Sequence, residues 1–143
     1  MCVTTLKNKG RVLLPVFALG RAQEMLLILD EYWDSHPEMH QYPIYYGSKI
    51  ASRSMDVYKR YINMMNDNIQ KIMDDRNPFD FKHVETLKSL REYDDHGPCV
   101  IMCSPGTLMS GMSRELFDSM CDDPRSACII PGYMVKVTIA IQV

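Results

Sequence analysis

Four short turns of small and polar residues contain the positions of this sequence that could bind a ligand. Each follows an apolar run, and the turns are Ala18–Arg21, Gly47–Lys49, Ser104–Thr107 and Pro131–Tyr133. If the apolar runs are parallel strands, their carboxyl ends meet at one edge of a sheet, where ligands bind in such folds. Two turns lead into predicted helix starts, where free backbone N–H groups and the helix dipole favour an anion. The pattern indicates phosphate binding.

The candidate phosphate-binding residues are Gly20, Arg21, Ser104, Gly106, Ser110 and Gly111. Arg21 stands at a helix start, where its guanidinium could bond two phosphate oxygens. Ser110, Gly111 and Ser113 offer hydroxyl and amide donors ahead of another predicted helix. Glycine and serine at these places also serve as ordinary caps and turns, and this alternative stays open. No GxGxxG or GxxxxGK[ST] pattern is present, which argues against a nucleotide-binding enzyme.

The histidines and cysteines form no metal-binding pattern. The four histidines are His36, His40, His83 and His96, and none belongs to an HxH or HExxH motif. A catalytic zinc site needs converging ligands and an open position. We therefore predict that each histidine is a surface or structural residue, and that this chain has no metal ligand. Cys99 and Cys103 share one face of a predicted strand, as buried free thiols that suit a reducing compartment.

Length and composition predict one globular domain. The chain has 143 residues, 46% hydrophobic and 24% charged, with a net charge of −2. No apolar run approaches the roughly 20 residues that span a bilayer, so we expect no membrane contact. Residues 1–29 carry four basic residues against one acidic, and residues 49–71 carry five against two. Such segments could attract a phosphate backbone, although modest basic patches are common on solvated helix faces.

Apolar periodicity predicts alternating strands and helices. The predicted strands are residues 12–17, 43–46, 99–103 and 126–130, and the predicted helices are about 21–35, 55–75 and 113–120. Residues 80–97 are predicted to be a loop with a short strand at Phe81–Val84 and one helical turn. Pro15 predicts that the first strand lies at a sheet edge or bulges near its end. The order predicts an α/β, Rossmann-like parallel sheet with helices on both faces.

Several segments of the chain resemble one protein family. They are Leu14–Glu24, Leu27–Trp33, Pro43–Tyr46, Asn77–Phe79, Ser104–Gly106, Ser113–Phe117 and Gly132–Tyr133. Together they resemble the β-CASP domain of the metallo-β-lactamase/β-CASP RNA nucleases, and within it the endonucleases of pre-mRNA 3′-end processing. An Integrator nuclease shares the first segment. The resemblance implies that residues 1–135 are an incomplete β-CASP domain of a larger nuclease. Residues 136–143 depart from the family as an atypical tail.

The resemblance also implies a function. In that family a metallo-β-lactamase domain holds two zinc ions, the β-CASP domain covers them, and RNA enters between the domains. Three β-CASP active-site residues of the family do not map onto this sequence, whereas the phosphate-facing positions Gly20–Arg21, Ser104–Gly106 and Ser110–Gly111 do. The implied parent is a nuclear, zinc-dependent endoribonuclease. This chain alone would bind no cofactor and would have no nuclease activity. The implied partners are pre-mRNA, the metallo-β-lactamase domain of the same protein and other cleavage and polyadenylation subunits.

Two other functions stay open. One is a nuclease-dead interaction module of an RNA-processing complex, either for 3′-end processing or Integrator-like. The retention of Arg21 and of the Ser104–Gly106 turn argues mildly against it. The other is a free-standing nucleotide-binding α/β protein, which ranks last because the sequence lacks a nucleotide fingerprint.

Overall fold

A parallel sheet with helices on both faces organises the chain. This computed structural model describes residues 1–47, 56–64, 77, 79–87, 90, 97–133 and 138–141. The strands are β1 (Val12–Pro15), β2 (Ile44–Gly47), β3 (Val84–Thr86), β4 (Val100–Cys103) and β5 (Ala127–Cys128). The α-helices with described bounds are α1 (Cys2–Lys7), α2 (Arg21–Ser35) and α3 (Gly111–Met120). Short 3₁₀ helices cover Pro37–Met39, Ile62–Met64 and Ile139–Ile141.

The strand order β3-β2-β4-β1-β5 creates a change of direction between β1 and β4. The chain leaves β1 towards β2 on one side and leaves β4 towards β5 on the other. All four strand pairs are parallel, with Val12 beside Val100 and Ile44 also beside Val100. Right-handed crossovers in opposite directions place the following helices on opposite faces. The loops after β1 and β4 therefore meet where the strand order changes direction, which is where ligands bind in such sheets.

Alternating side chains of β1 and β4 supply both halves of the core. Leu14 and Met102 belong to the cluster that packs against α2, with Leu26 and Trp33 among its buried members. The intervening Leu13 and Ile101 belong to the cluster against α3, as do Leu116 and Met120. A strand buried on both faces reads as a continuous apolar run, which explains the sequence Val12-Leu-Leu-Pro15. The predicted α/β parallel sheet with helices on both faces is confirmed.

Several predicted element bounds need correction. The helix α1 escaped prediction because its six residues bury only Thr5 and Leu6, too few to show a helical period. The predicted strand at Phe81–Val84 is found at Val84–Thr86. The first and last strands are shorter than predicted. Tyr32, expected to face the core, is exposed on α2, where its ring stacks on His36 with centroids 3.9 Å apart.

The prediction that β1 lies at a sheet edge, or bulges, is wrong. The strand β1 is flanked by β4 and β5. Pro15 is tolerated there because β5 pairs only with Val12 and Leu13, so no ladder partner lies beside Pro15 on that side. Towards β4, the ladder continues past Pro15 through Val16, whose N–H donates to Cys103 O at 2.9 Å. A proline at the last strand residue therefore removes no sheet hydrogen bond.

The predicted helix at 55–75 is described only in part. Residues 56–60 are helical and a 3₁₀ turn follows at Ile62–Met64; the remainder, and the helical turn expected in 80–97, lie largely outside the described residues. Tyr61 was expected in the core but is exposed. No helix within the described ranges combines the length and the apolar character that crossing a bilayer requires.

Candidate functional site

The loop after β1, residues 16–20, is held at the carboxyl edge of the sheet by hydrogen bonds from three elements. The N–H of Val16 donates to the carbonyl of Cys103 at 2.9 Å. The carbonyl of Ala18 accepts from Gln23 Nε2 at 3.0 Å and from the hydroxyl of Tyr46 at 3.3 Å. Burial, and then the neighbouring Tyr58, raises the pKa of Tyr46 to about 12, so its phenol stays a donor. The loop is thus fixed before α2 begins.

The loop after β4, residues 104–110, packs directly on the first loop. A Cβ at Gly106 would lie 3.3 Å from both Phe17 N and Val16 C, so glycine permits this backbone approach. The hydroxyl of Ser113 donates to the carbonyl of Pro105 at 2.6 Å. These contacts join the two loops into one surface at the carboxyl edge of the sheet, called here the rim: residues 16–21 and 104–111.

Strained backbone occurs within the rim. Leu108 has φ of +56° although its side chain is fully buried. A left-handed conformation costs a non-glycine residue about 1–2 kcal/mol. Such residues are held by the structure around them and concentrate at functional sites. Here the buried Leu108 side chain anchors the loop, and the next residue, Met109, faces solvent.

Three large apolar side chains of the rim are exposed. Phe17 is 51% exposed, Leu19 59% and Met109 53%. Sequence reasoning missed them because they were counted with the apolar run or the turn. The signal was present: Phe17 and Leu19 alternate with Ala18 after Pro15, where a buried strand would already have ended.

Two buried polar atoms at this edge have no hydrogen-bond partner among the described residues: Gln23 Oε1 and Ser104 Oγ. A third such atom, His83 Nε2, lies at the opposite edge, 3.6 Å from Asp34 Oδ1. Native structures pair nearly all buried polar groups, and exceptions often mark functional sites. Gln23 is also the residue whose Nε2 fixes Ala18.

The structure brings the predicted phosphate-binding residues to the rim. Gly20, with φ of +83°, precedes α2, and Arg21 is its first residue. Arg21 is exposed and its guanidinium contacts Glu24 at 2.8 Å. The side chain of Ser110 is exposed and makes no capping bond to α3 within the described structure. Their role in binding phosphate stays a prediction.

Two expectations about neighbouring residues change. Ser113 was expected to offer a free hydroxyl, but it is fully buried inside α3 and bonded to Pro105. Of the turn Gly47–Lys49, residues 48 and 49 lie outside the described residues. Residues 131–133 follow β5 only after two further residues, and Tyr133 is exposed.

Arg21 is the single charged residue of the rim, Glu24 stands in the first turn of α2, and Glu115 adjoins Arg114. Residues 16–23 and 104–114 contain Arg21 and Arg114 and no acidic residue. Each arginine contacts an acid further along its own helix: Glu24 for Arg21, and Asp118 for Arg114 at 2.8 Å. Exposed pairs of this kind contribute only about 0.2–0.5 kcal/mol, so a phosphate can replace the carboxylate at low cost.

Nothing at the rim is built for covalent or metal chemistry. Burial raises the pKa of Cys103 to about 12, so its thiol stays protonated. No group of three or more His, Cys, Asp or Glu side chains able to hold a metal occurs within the described ranges. The described residues therefore do not fit the zinc ions that the resemblance implies.

The parallel sheet with helices on both faces defines an α/β domain, and comparison with known proteins gives its family. Residues 22–143 match the family described as Beta-Casp domain, and the chain belongs to that family.

Named relatives narrow the comparison. The chain is 54% identical over 134 residues to "Cleavage and polyadenylation specificity factor subunit 3" of Dictyostelium discoideum, which covers 94% of this chain and 17% of that protein. It is 56% identical to "Cleavage and polyadenylation specificity factor subunit 3-I" of Arabidopsis thaliana, over 96% of this chain and 20% of that protein. It is 52% identical to "Endoribonuclease ysh1" of Schizosaccharomyces pombe, over 98% of this chain and 18% of that protein. The chain spans about a fifth of the length of these curated relatives.

Proposed function

We propose that this chain is the β-CASP segment of an endoribonuclease of pre-mRNA 3′-end processing, and that its rim positions the RNA backbone. The names of the relatives, endoribonuclease and cleavage and polyadenylation factor, support the activity of the parent protein. The observation that carries the rim's role is the meeting of two helix starts, α2 and α3, at one edge, with Arg21 exposed at the first of them.

The first turns of α2 and α3 supply the donors. An α-helix leaves its first N–H groups without intrahelical partners. Gly20 has no side chain to cap α2, and the hydroxyl of Ser110 makes no capping bond to α3 within the described structure. The N–H of Gln23 donates to Gly20 O at 3.1 Å and that of Ser113 to Ser104 O at 3.4 Å. The amides at the first two positions of each helix, with the positive end of the dipole, are offered to a phosphate. Arg21 adds a mobile guanidinium that can leave Glu24.

The rest of the proposal concerns the parent protein. Two zinc ions would lie in a separate metallo-β-lactamase domain and supply the activated water that attacks the phosphodiester. The rim would face that domain across the RNA and hold the strand. We place the parent in the nucleus, among other cleavage and polyadenylation subunits. A chain that orients substrate but holds no metal has no nuclease activity by itself.

Single-stranded RNA binding tests the rim's role. We expect the 143-residue chain to bind a short RNA weakly, with an affinity that falls as salt rises. Replacing Arg21→Ala should weaken binding and reduce the steepness of the logarithmic salt dependence by about 0.7, the value for one lost contact to a single strand. Fluorescence anisotropy across a salt series measures both.

The matched control is Arg125→Ala at the opposite edge of the sheet. Arg125 is 61% exposed against 58% for Arg21, and it also contacts an acid of its own segment, Asp123 at 2.9 Å. Removing it changes net charge equally but should leave the salt dependence unaltered. Equal effects of the two variants, or binding that does not respond to salt, would contradict the positioning role of the rim.

A further inference from the structure

We propose that Phe17 is a stacking platform for one unpaired base of the RNA strand, with Leu19 and Met109 as further exposed apolar side chains of the rim. This rests on the proposed function, because it assigns the base of a nucleotide whose phosphate contacts the rim. None of the three side chains has a part in phosphate binding, and all three are more than half exposed.

The exposure of Phe17 and Leu19 is enforced by the loop. Ala18 between them is tied down through its carbonyl by Gln23 and by Tyr46. The backbone of Phe17 is backed by Gly106 at close range. With the backbone held at both points, these side chains have no route into the core. The loop therefore displays them at a fixed place with little entropy left to lose on binding.

The position of Met109 is held in the same way by the second loop. Leu108 is fully buried with φ of +56°, which fixes the direction of the chain before Met109. Burial of the Leu108 side chain in the core cluster against α3 offsets the cost of this backbone conformation. Met109 is thereby held in its exposed position.

The surroundings favour a nucleobase over a protein surface as the occupant. Phe17 stands three residues before Gly20, the N-cap of α2, and Met109 one residue before Ser110, the N-cap of α3. Apolar faces thus alternate with anion-binding amides over a few residues. A single RNA strand alternates bases and phosphates in the same way, and binding sites for such strands combine aromatic faces with basic grooves. A purely apolar protein partner would leave the amides of both helix starts unused.

Two strands of equal length test the inference: a ten-nucleotide oligouridylate, and a ten-unit ribose-phosphate strand without bases. The native chain should bind the first several-fold more tightly. Phe17→Ala should weaken binding of the oligouridylate by about 5- to 150-fold, the range for one stacked base. The same variant should change the affinity for the base-free strand by no more than about twofold and should leave the salt dependence of binding unchanged. Phe17→Tyr should keep the native affinity, because the aromatic face remains.

Two further variants separate stacking from general apolar contact. Phe17→Leu keeps an apolar side chain without a ring and should lose most of the preference for bases. Tyr32→Ala removes an exposed aromatic ring eleven residues along α2 from Arg21 and should change neither affinity. Because Phe17 and Tyr32 are exposed, all variants should fold, and circular dichroism checks this.

Each failure has a separate meaning. Equal losses for both strands in Phe17→Ala, or full affinity in Phe17→Leu, would overturn stacking. Unchanged RNA binding in Phe17→Ala would also overturn stacking, and would assign the exposed side chains of Phe17, Leu19 and Met109 to a contact with protein. If the base-free strand still binds with a salt dependence that Arg21→Ala reduces, the backbone-positioning function survives. If neither strand shows salt-dependent binding, the proposed function itself fails.

Discussion

The two edges of the sheet treat their polar groups differently. At the amino edge, where the strands begin, side chains bond the backbone of neighbouring segments: Asp30 Oδ1 accepts from the N–H groups of Lys82 and His83, and Trp33 Nε1 donates to Tyr42 O at 2.9 Å. At the carboxyl edge, Gln23 Oε1 and Ser104 Oγ are buried without a described partner.

The apolar groups differ in the same sense. The rim exposes Phe17, Leu19 and Met109 by more than half, whereas near the amino edge Trp33 is buried and Tyr32 is 38% exposed with its ring stacked on His36. Both edges belong to the same folded chain, so the contrast distinguishes residues that stabilise the fold from residues that are available to bind a ligand. The edges differ in degree: among the described residues, the amino edge has one buried unpartnered atom, His83 Nε2, and a positive φ at exposed Lys9, whereas the carboxyl edge has two such atoms and a positive φ at fully buried Leu108. An excess of such groups is the expected mark of a binding surface.

The largest expected effect comes from the amino edge. Replacing Asp30→Ala removes the acceptor for two backbone N–H groups, at 3.0 Å from Lys82 and 2.9 Å from His83. We expect the free energy of unfolding to fall by about 2–3 kcal/mol, because bonds to a charged acceptor are strong. Asp30→Asn keeps an acceptor oxygen and should cost less than half as much. Urea denaturation measures both. Both variants should bind RNA with native affinity. A loss of affinity in folded Asp30→Asn would contradict the assignment of RNA binding to the carboxyl edge alone.

A pair of serines divides the rim itself. Ser113 donates to Pro105 O at 2.6 Å, so Ser113→Ala leaves that carbonyl unpaired and should cost about 1–2 kcal/mol. Ser104 Oγ makes no bond within the described structure, so Ser104→Ala should leave stability unchanged or slightly higher. Thermal and urea unfolding of the two variants give the comparison. A cost for Ser104→Ala as large as that for Ser113→Ala would show that Ser104 already has a partner, such as a bound water.

The smallest expected effect is a pH dependence at the amino edge. The hydrogen bond from the Arg125 side chain, helped by the Arg125 N–H, lowers the pKa of Asp123 from 3.8 to about 2. A lowered folded-state pKa contributes stability that is present above the unfolded value and is lost as pH falls through 3.8 towards 2. The stability difference between the native chain and Asp123→Asn should therefore shrink over that window. A difference that stays constant from neutral pH to pH 2 would contradict the ion pair's contribution.

Sequence periodicity predicted those parts of the fold that depend on local pattern. The helix α2 was predicted with its observed bounds, because its apolar spacing and the proline after His36 are strong signals. The common face of Cys99 and Cys103 was also predicted, and both belong to the cluster facing α3. These features depend only on neighbours in sequence.

Other features depend on partners distant in sequence and could not be predicted. The internal position of β1 follows from pairing with β4 and β5, strands 88 and 115 residues away in register. At the rim, residue types indicated the turns and helix starts. They did not reveal that Ser113 is bonded to Pro105, or that Phe17 faces outward. Both outcomes result from how the two loops pack on each other.

The sheet order also has a consequence for protein synthesis. Strand β1 is made before both of its neighbours, which follow at residues 100–103 and 127–128. At ribosomal rates of about 5–20 residues per second, β1 waits on the order of ten seconds for its partners. During that time the apolar run Val12-Leu-Leu-Pro-Val-Phe17 is unpaired outside the ribosome. The nascent chain thus exposes an aggregation-prone apolar segment that a chaperone would have to shield.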